Sequence, residues 1–120
     1  MSSETEEYVA LFYSDDKLKR KYGAEKLGEL GRDGVEAAKN LLSDSDWHIR
    51  YRACEAIGFA KVGAEFLYPM LSDEKDHVRY MAVKSLGFCK TADLEERISP
   101  LADDENEFVR RIVGKVLGSQ

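Results

Sequence analysis

One short text recurs along this chain. Ile49-Arg50-Tyr51-Arg52-Ala53 runs on to Ile57-Gly58, Val78-Arg79-Tyr80-Met81-Ala82 runs on to Leu86-Gly87, and Val109-Arg110-Arg111-Ile112-Val113 runs on to Leu117-Gly118. A fainter copy upstream has Arg20, Gly23, Leu27 and Gly28 in the matching places. The arginine column (Arg20, Arg50, Arg79, Arg110) and the glycine column (Gly28, Gly58, Gly87, Gly118) advance by the same steps of 30, 29 and 31. Two columns that keep step across four copies mark a repeat, and a repeat of this length holds one supersecondary unit.

The apolar residues inside each copy identify that unit. Val, Ala and Leu at i, i+4 and i+8 form one stripe of an α-helix. The small alanine lets a neighbouring helix come close, and the glycine after the stripe is expected to end the helix in the left-handed conformation. An acidic turn precedes each stripe, at 43–46, 72–76 and 103–107. Such residues cap helix N-termini and suit the positive end of the helix dipole. Between each glycine and the next acidic turn lies a shorter apolar segment, Val35–Leu42, Val62–Leu71 or Leu94–Leu101. Pro69 and Pro100 fall near the ends of the last two, where a missing N–H kinks or shortens the final turn. Ser3 with Glu6, and Asp33 with Glu36, have capping-box spacing; the first opens a helix expected over Glu4–Tyr13. The expectation is eight helices in four pairs. No segment alternates as a strand does, and glycine interrupts each helix before three heptads accumulate, which excludes a coiled coil. A four-helix bundle is the remaining rival, but it does not explain why alternate segments carry one text.

The length of 120 residues gives room for one domain. A hydrophobic share of 43% supports a core and excludes a disordered chain. The net charge of −5 argues against a duplex nucleic-acid binder. Charge breaks every apolar stretch, so no membrane-spanning helix is expected, and the acidic opening Met1–Glu7 is no secretory signal. Cys54 and Cys89 stand among apolar neighbours without CxxC or CxxH spacing. Both are expected to be small core residues in a reducing compartment, and the expected location is cytoplasmic.

The repeated text, Asp-(four residues)-[Val/Ile]-Arg-(two)-Ala-(three)-[Leu/Ile]-Gly, resembles HEAT repeats. More narrowly, it is similar to the short HEAT-like repeats named after the phycobilisome lyases. The resemblance implies an all-α right-handed superhelix, a solenoid of four two-helix repeats, in a single domain over 1–120. The repeats fall at 4–31, 32–60, 61–89 and 90–118. It implies too that turn aspartates and second-helix arginines bridge neighbouring repeats in a ladder, with Asp44, Asp73 and Asp104 paired with Arg50, Arg79 and Arg110. Ser14, with Asp15 beside it, stands at the aspartate place of the first repeat, which departs most from the pattern and suits a terminal cap. The arginine row is then structural rather than phosphate-binding, since removing either side of such a pair leaves the other unpaired.

In such families the second helix of each pair faces the concave side. Positions outside both the stripe and the ladder then form three columns: His48, His77 and Phe108; Tyr51, Tyr80 and Arg111; Glu55, Lys84 and Lys115. At i, i+3 and i+7 they share one helix face. Tyrosine and arginine are frequent interface anchors. Trp47 opens the second helix of repeat two, where the later repeats have Asp76 and Glu107. It either anchors a partner or covers the loop between Gly28 and Gly34. The last helix carries Val109, Ile112, Val113, Val116 and Leu117, and part of that surface is expected to lie open for weak self-association or docking.

Little in the sequence points to catalysis. A metal bridged by His48 and His77 lacks a third ligand, and the residues after them are Ile49 and Val78, not the glutamates that iron-dependent HEAT-like hydroxylases use. There is no GxSxG, Walker loop or GxGxxG, and the run Lys17, Lys19, Arg20, Lys21 is opposed by Asp15, Asp16 and Glu25. The expected function is a non-catalytic scaffold that binds another protein through the concave strip, without a cofactor. The resemblance also carries two alternatives: an accessory subunit of a bilin or tetrapyrrole lyase, and a HEAT-like nucleic-acid binder, which would need a basic concave face.

Overall fold

Helix starts are set by short polar side chains in the acidic turns. In the computed structural model, which describes residues 2–119, Asp16, Asp46 and Asn106 accept hydrogen bonds from the free N–H groups of helices α2 (Lys17–Glu29), α4 (Trp47–Ala60) and α8 (Glu107–Gly118). Helix α6 (Asp76–Cys89) follows Lys75, and there Asp76 Oδ1 accepts from the His77 N–H. Upstream of these starts, Asp44, Asp73 and Asp104 each accept from the N–H two residues on, and Ser14 does the same in the first turn.

The two expected capping boxes do not form. Helix α1 (Ser3–Leu11) is capped by Ser2, which accepts from the Thr5 N–H, one residue before the expected Ser3. Helix α3 (Arg32–Ala38) begins straight after Gly31, whose φ of +64° turns the chain. Asp33 therefore lies inside the first turn, where it still suits the dipole but cannot cap. The short helices α3, α5 (Ala64–Leu67) and α7 (Leu94–Ile98) each tighten into a 3₁₀ turn, at Lys39–Leu41, Tyr68–Ser72 and Ser99–Asp103. Pro69 and Pro100 sit in the first turn of the last two, where a continuing α-helix would need their missing N–H. Among the described residues there are eight α-helices and no strand, and no helix is long and apolar enough to cross a membrane.

Of the glycine column only Gly118 stands at the end of its helix, and not in the left-handed conformation expected. Gly28, Gly58 and Gly87 lie within α2, α4 and α6, and the left-handed residues that close α4 and α6 are Lys61 and Lys90. The glycines are needed for close approach instead. A Cβ on Gly58 would lie 2.6 Å from Ser85 Oγ and 3.0 Å from its Cα; one on Gly28 would lie 2.8 Å from the Ala56 carbonyl oxygen; one on Gly87 would lie 3.0 Å from Val116. At these points α2 meets α4, α4 meets α6 and α6 meets α8, which are the main contacts between long helices. The core lies between the long row and the short helices. Leu27, Ile57 and Leu86 come from one side, Leu67 and Ile98 from the other, all fully buried.

The apolar surface on α8 that was expected to lie open is mostly covered. Val109, Ile112, Val113 and Val116 are buried against α6 and the preceding 3₁₀ turn, and only Leu117 is partly exposed. Arg110, Arg111, Gly114 and Lys115 face outward.

Candidate docking surface

The arginine column is drawn into the scaffold. Arg50 Nε and Nη2 donate to the two carboxylate oxygens of Asp73 at 2.9 and 3.1 Å, while Nη1 donates to the carbonyls of Asp44 and Ser45. Arg79 repeats the arrangement, with Asp104 at 2.9 and 3.1 Å and the carbonyls of Asp73 and Glu74. Each arginine thus binds the backbone of its own turn and the carboxylate of the next. The pairs are Arg50–Asp73 and Arg79–Asp104, one turn on from the expected Arg50–Asp44, Arg79–Asp73 and Arg110–Asp104. The reason is reach: a fork lying on its own turn's carbonyls projects its free edge onward, not back. Among the described residues Arg110 hydrogen-bonds through its side chain to the Asp104 carbonyl alone, and Asp44 accepts from the Tyr13 hydroxyl at 3.1 Å. Burial pushes the Asp104 carboxyl up, but the Arg79 fork and the Asn106 N–H outweigh it and hold the group below its usual range.

The other candidates lie on a single exposed face of the long helices. His48, His77, Arg111 and Lys115 are exposed, Phe108 is 57% exposed, and Tyr51, Tyr80 and Lys84 are partly buried. Glu55 is largely withdrawn, its carboxylate 2.7 Å from Arg52. Trp47 joins the columns. Its ring stacks on His48 at 3.8 Å, lies 4.6 Å from the His77 ring, and meets Tyr51 edge-on at 6.3 Å, while Lys75 Nζ stands 4.6 Å from it on α6's side. Gly28 meets the far end of α4, at Ala56 and Phe59, so Trp47 does not cover the loop between Gly28 and Gly34. It carries the aromatic surface from α4 across to α6.

Each imidazole on this face has its own carboxylate. His48 Nδ1 lies 2.9 Å from Asp46 and His77 Nδ1 lies 2.8 Å from Asp76. The His48 N–H and ring hold the Asp46 carboxyl below its usual range; the His77 ring and N–H do so for Asp76. Asn106 donates to Asp76 at 2.8 Å, fixing α8's start against α6's.

Three clefts open along the face. One of about 390 Å³ is lined by Lys17, Arg20, Trp47, His48, Tyr51 and Arg52, with His77 at its edge. A second, of about 210 Å³, lies between His77, Tyr80 and Phe108. A third, of about 340 Å³, is bounded by Lys84, Phe88, Ile112 and Lys115. Phe59 and Phe88 escaped the sequence reading, although they are 41% and 45% exposed. They continue the same face one turn beyond Glu55 and Lys84. The spacing that reveals them is i, i+3, i+7, i+11, and it runs across Gly58 and Gly87, where the sequence predicts a helix end.

Nucleophilic and metal chemistry find little support elsewhere. Burial pushes the Cys54 thiol far up and that of Cys89 to about 11. Among the described residues no group of three or more His, Cys, Asp or Glu is placed to hold a metal ion. A cleft of about 440 Å³ has Ser2, Thr5, Asp33, Glu36 and Ala37 among its described lining residues, none of them a ring or a cation. The long face offers stacking, apolar contact and positive charge, which is the chemistry of recognition.

No family model matches the chain, and no curated protein matches it. Among solved structures, the crystal structure of an engineered protein from the Northeast Structural Genomics Consortium is similar at a TM-score of 0.65 and 20% identity, over 97% of this chain and 62% of that one. At that identity the likeness concerns fold alone, and the chain spans less than two thirds of that structure's length.

Proposed function

We propose that this chain is a short HEAT-like α-solenoid and acts as a non-catalytic docking scaffold, holding another protein against the concave strip of its long helices. The observation that carries this reading is the aromatic bridge at Trp47, which joins His48 and Tyr51 on one helix to His77 on the next. Tyr80 and Phe108 extend it toward α8. Exposed rings beside shallow clefts serve recognition better than they serve stability. The solenoid reading is supported by the repeated text, by long helices that meet in chain order, and by arginines that clamp successive turns. The non-catalytic reading is supported by two thiols that resist ionisation.

Selection from a displayed library of random peptides tests the docking surface. Peptides enriched on the unmodified protein are expected to lose binding to a Tyr51→Ala, Tyr80→Ala double variant whose helical circular dichroism is unchanged. Peptides that bind both proteins equally would place docking elsewhere.

A further inference from the structure

The charges along the strip are matched unevenly. Its carboxylates each have a partner: Glu55 pairs with Arg52 and Glu107 with Arg111, while Asp46 and Asp76 bond to His48 and His77, which offset their charge only when protonated. Its lysines have no such partner. Lys17, Lys84 and Lys115 line the clefts and Lys75 stands over Trp47, yet none of the four has a carboxylate within ion-pair distance among the described residues. Arg20, which lines the first cleft, has a buried Nε without a hydrogen-bond partner. Glu25, at the place equivalent to Glu55, is an opposing charge at one margin. A chain of net charge −5 therefore carries a surplus of unmatched cations on this face. Two of these lysines stand beside rings, Lys75 over Trp47 and Lys84 in one cleft with Phe88, and the paired Arg111 lies over Phe108.

We infer that the strip takes an acidic segment of a partner polypeptide, with apolar side chains between its carboxylates. This rests on the docking reading above. A polypeptide can set its carboxylates against the unmatched lysines and its apolar residues into the clefts between them. A nucleic-acid strand cannot choose in this way. Its charge recurs at every phosphate, so it would also have to pass Asp46, Asp76 and Glu107 and approach a chain that is negative overall. The acidic segment gains through charge complementarity, which sets specificity and association rate, and through ring contacts in the clefts.

Trp47 is the only tryptophan and reports from within the surface. The probe is a synthetic peptide in which pairs of glutamates alternate with single leucines. Counter-probes are the same peptide with lysine for glutamate, and a thymidine oligonucleotide of equal charge. Titration of the glutamate peptide should change Trp47 emission saturably, and raised salt should weaken binding. A Lys84→Glu, Lys115→Glu double variant should bind about tenfold more weakly. A Lys39→Glu variant, altered on the 3₁₀ turn after α3, should bind as the unmodified protein does. Equal or tighter binding of the lysine peptide, tighter binding of the oligonucleotide, or undiminished binding by the double variant would overturn the inference. If the glutamate peptide fails while displayed peptides that depend on Tyr51 and Tyr80 still bind, the acidic preference falls and the docking surface stands. Loss of both removes both.

Discussion

Arg79 shows how much one side chain can settle. Its fork binds Asp104 while its third nitrogen donates to two carbonyls of its own turn, so one guanidinium ties consecutive turns together. Asp104→Asn keeps the shape and removes the charge, leaving a nearly buried guanidinium with only the exposed Glu105 carboxylate, 3.8 Å away, to offset it. Stability at neutral pH should fall by about 3 kcal/mol, read from urea denaturation. The same residue sets a pH dependence. Its folded carboxyl titrates below the unfolded value, so its contribution is complete above about pH 4 and is lost as pH falls through the folded value. Asp104→Asn should therefore flatten the acid limb of a stability–pH curve. Glycines divide in the same way by surroundings. Gly58→Ala sets a methyl against Ser85 and should cost about 1–3 kcal/mol. Gly114→Ala meets open space inside α8 and should raise stability by up to about 1 kcal/mol in thermal melts.

Among the elements, α8 most clearly depends on its neighbour. All of its large apolar residues except Phe108 and Leu117 are buried, and its outer side is polar. Val113→Asp would place an unpaired charge where the side chain is 1% exposed. It should cost about 3–5 kcal/mol and make the melt less cooperative, as α8 separates from α6 before the rest unfolds. Differential scanning calorimetry reads both effects. The number and order of helices, and the proline-shortened segments, were legible because hydrophobic period and turn chemistry are local signals. Helix ends were less so. Gly58 and Gly87 are as good at ending a helix as at lining a close contact, and only the partner helix distinguishes the two roles.

At the scale of the whole molecule, the eight helices measure 41 × 27 × 21 Å with a radius of gyration of 13.5 Å. That is close to the value of about 13.6 Å for any compact domain of this length. The row of long helices is thus no more extended than a globule, and its one long face is the feature that sets it apart. Because α8 turns its apolar residues inward, sedimentation equilibrium should give a monomer mass at every concentration. A mass that rises with concentration would mean that exposed rings such as Phe59 or Tyr22 pair between copies.

By itself the sequence determined the all-helical fold, the columns of equivalent residues, and which side chains share a helix face, because these follow from period and spacing within a single helix. Tertiary structure alone decided that Arg50 binds Asp73 and not Asp44, that Gly28 meets Ala56, and that Trp47 lies across two helices. Those choices depend on the distance and rotation between neighbouring helices. No one-dimensional pattern contains that offset, and a shift of a single turn exchanges one partner for the next.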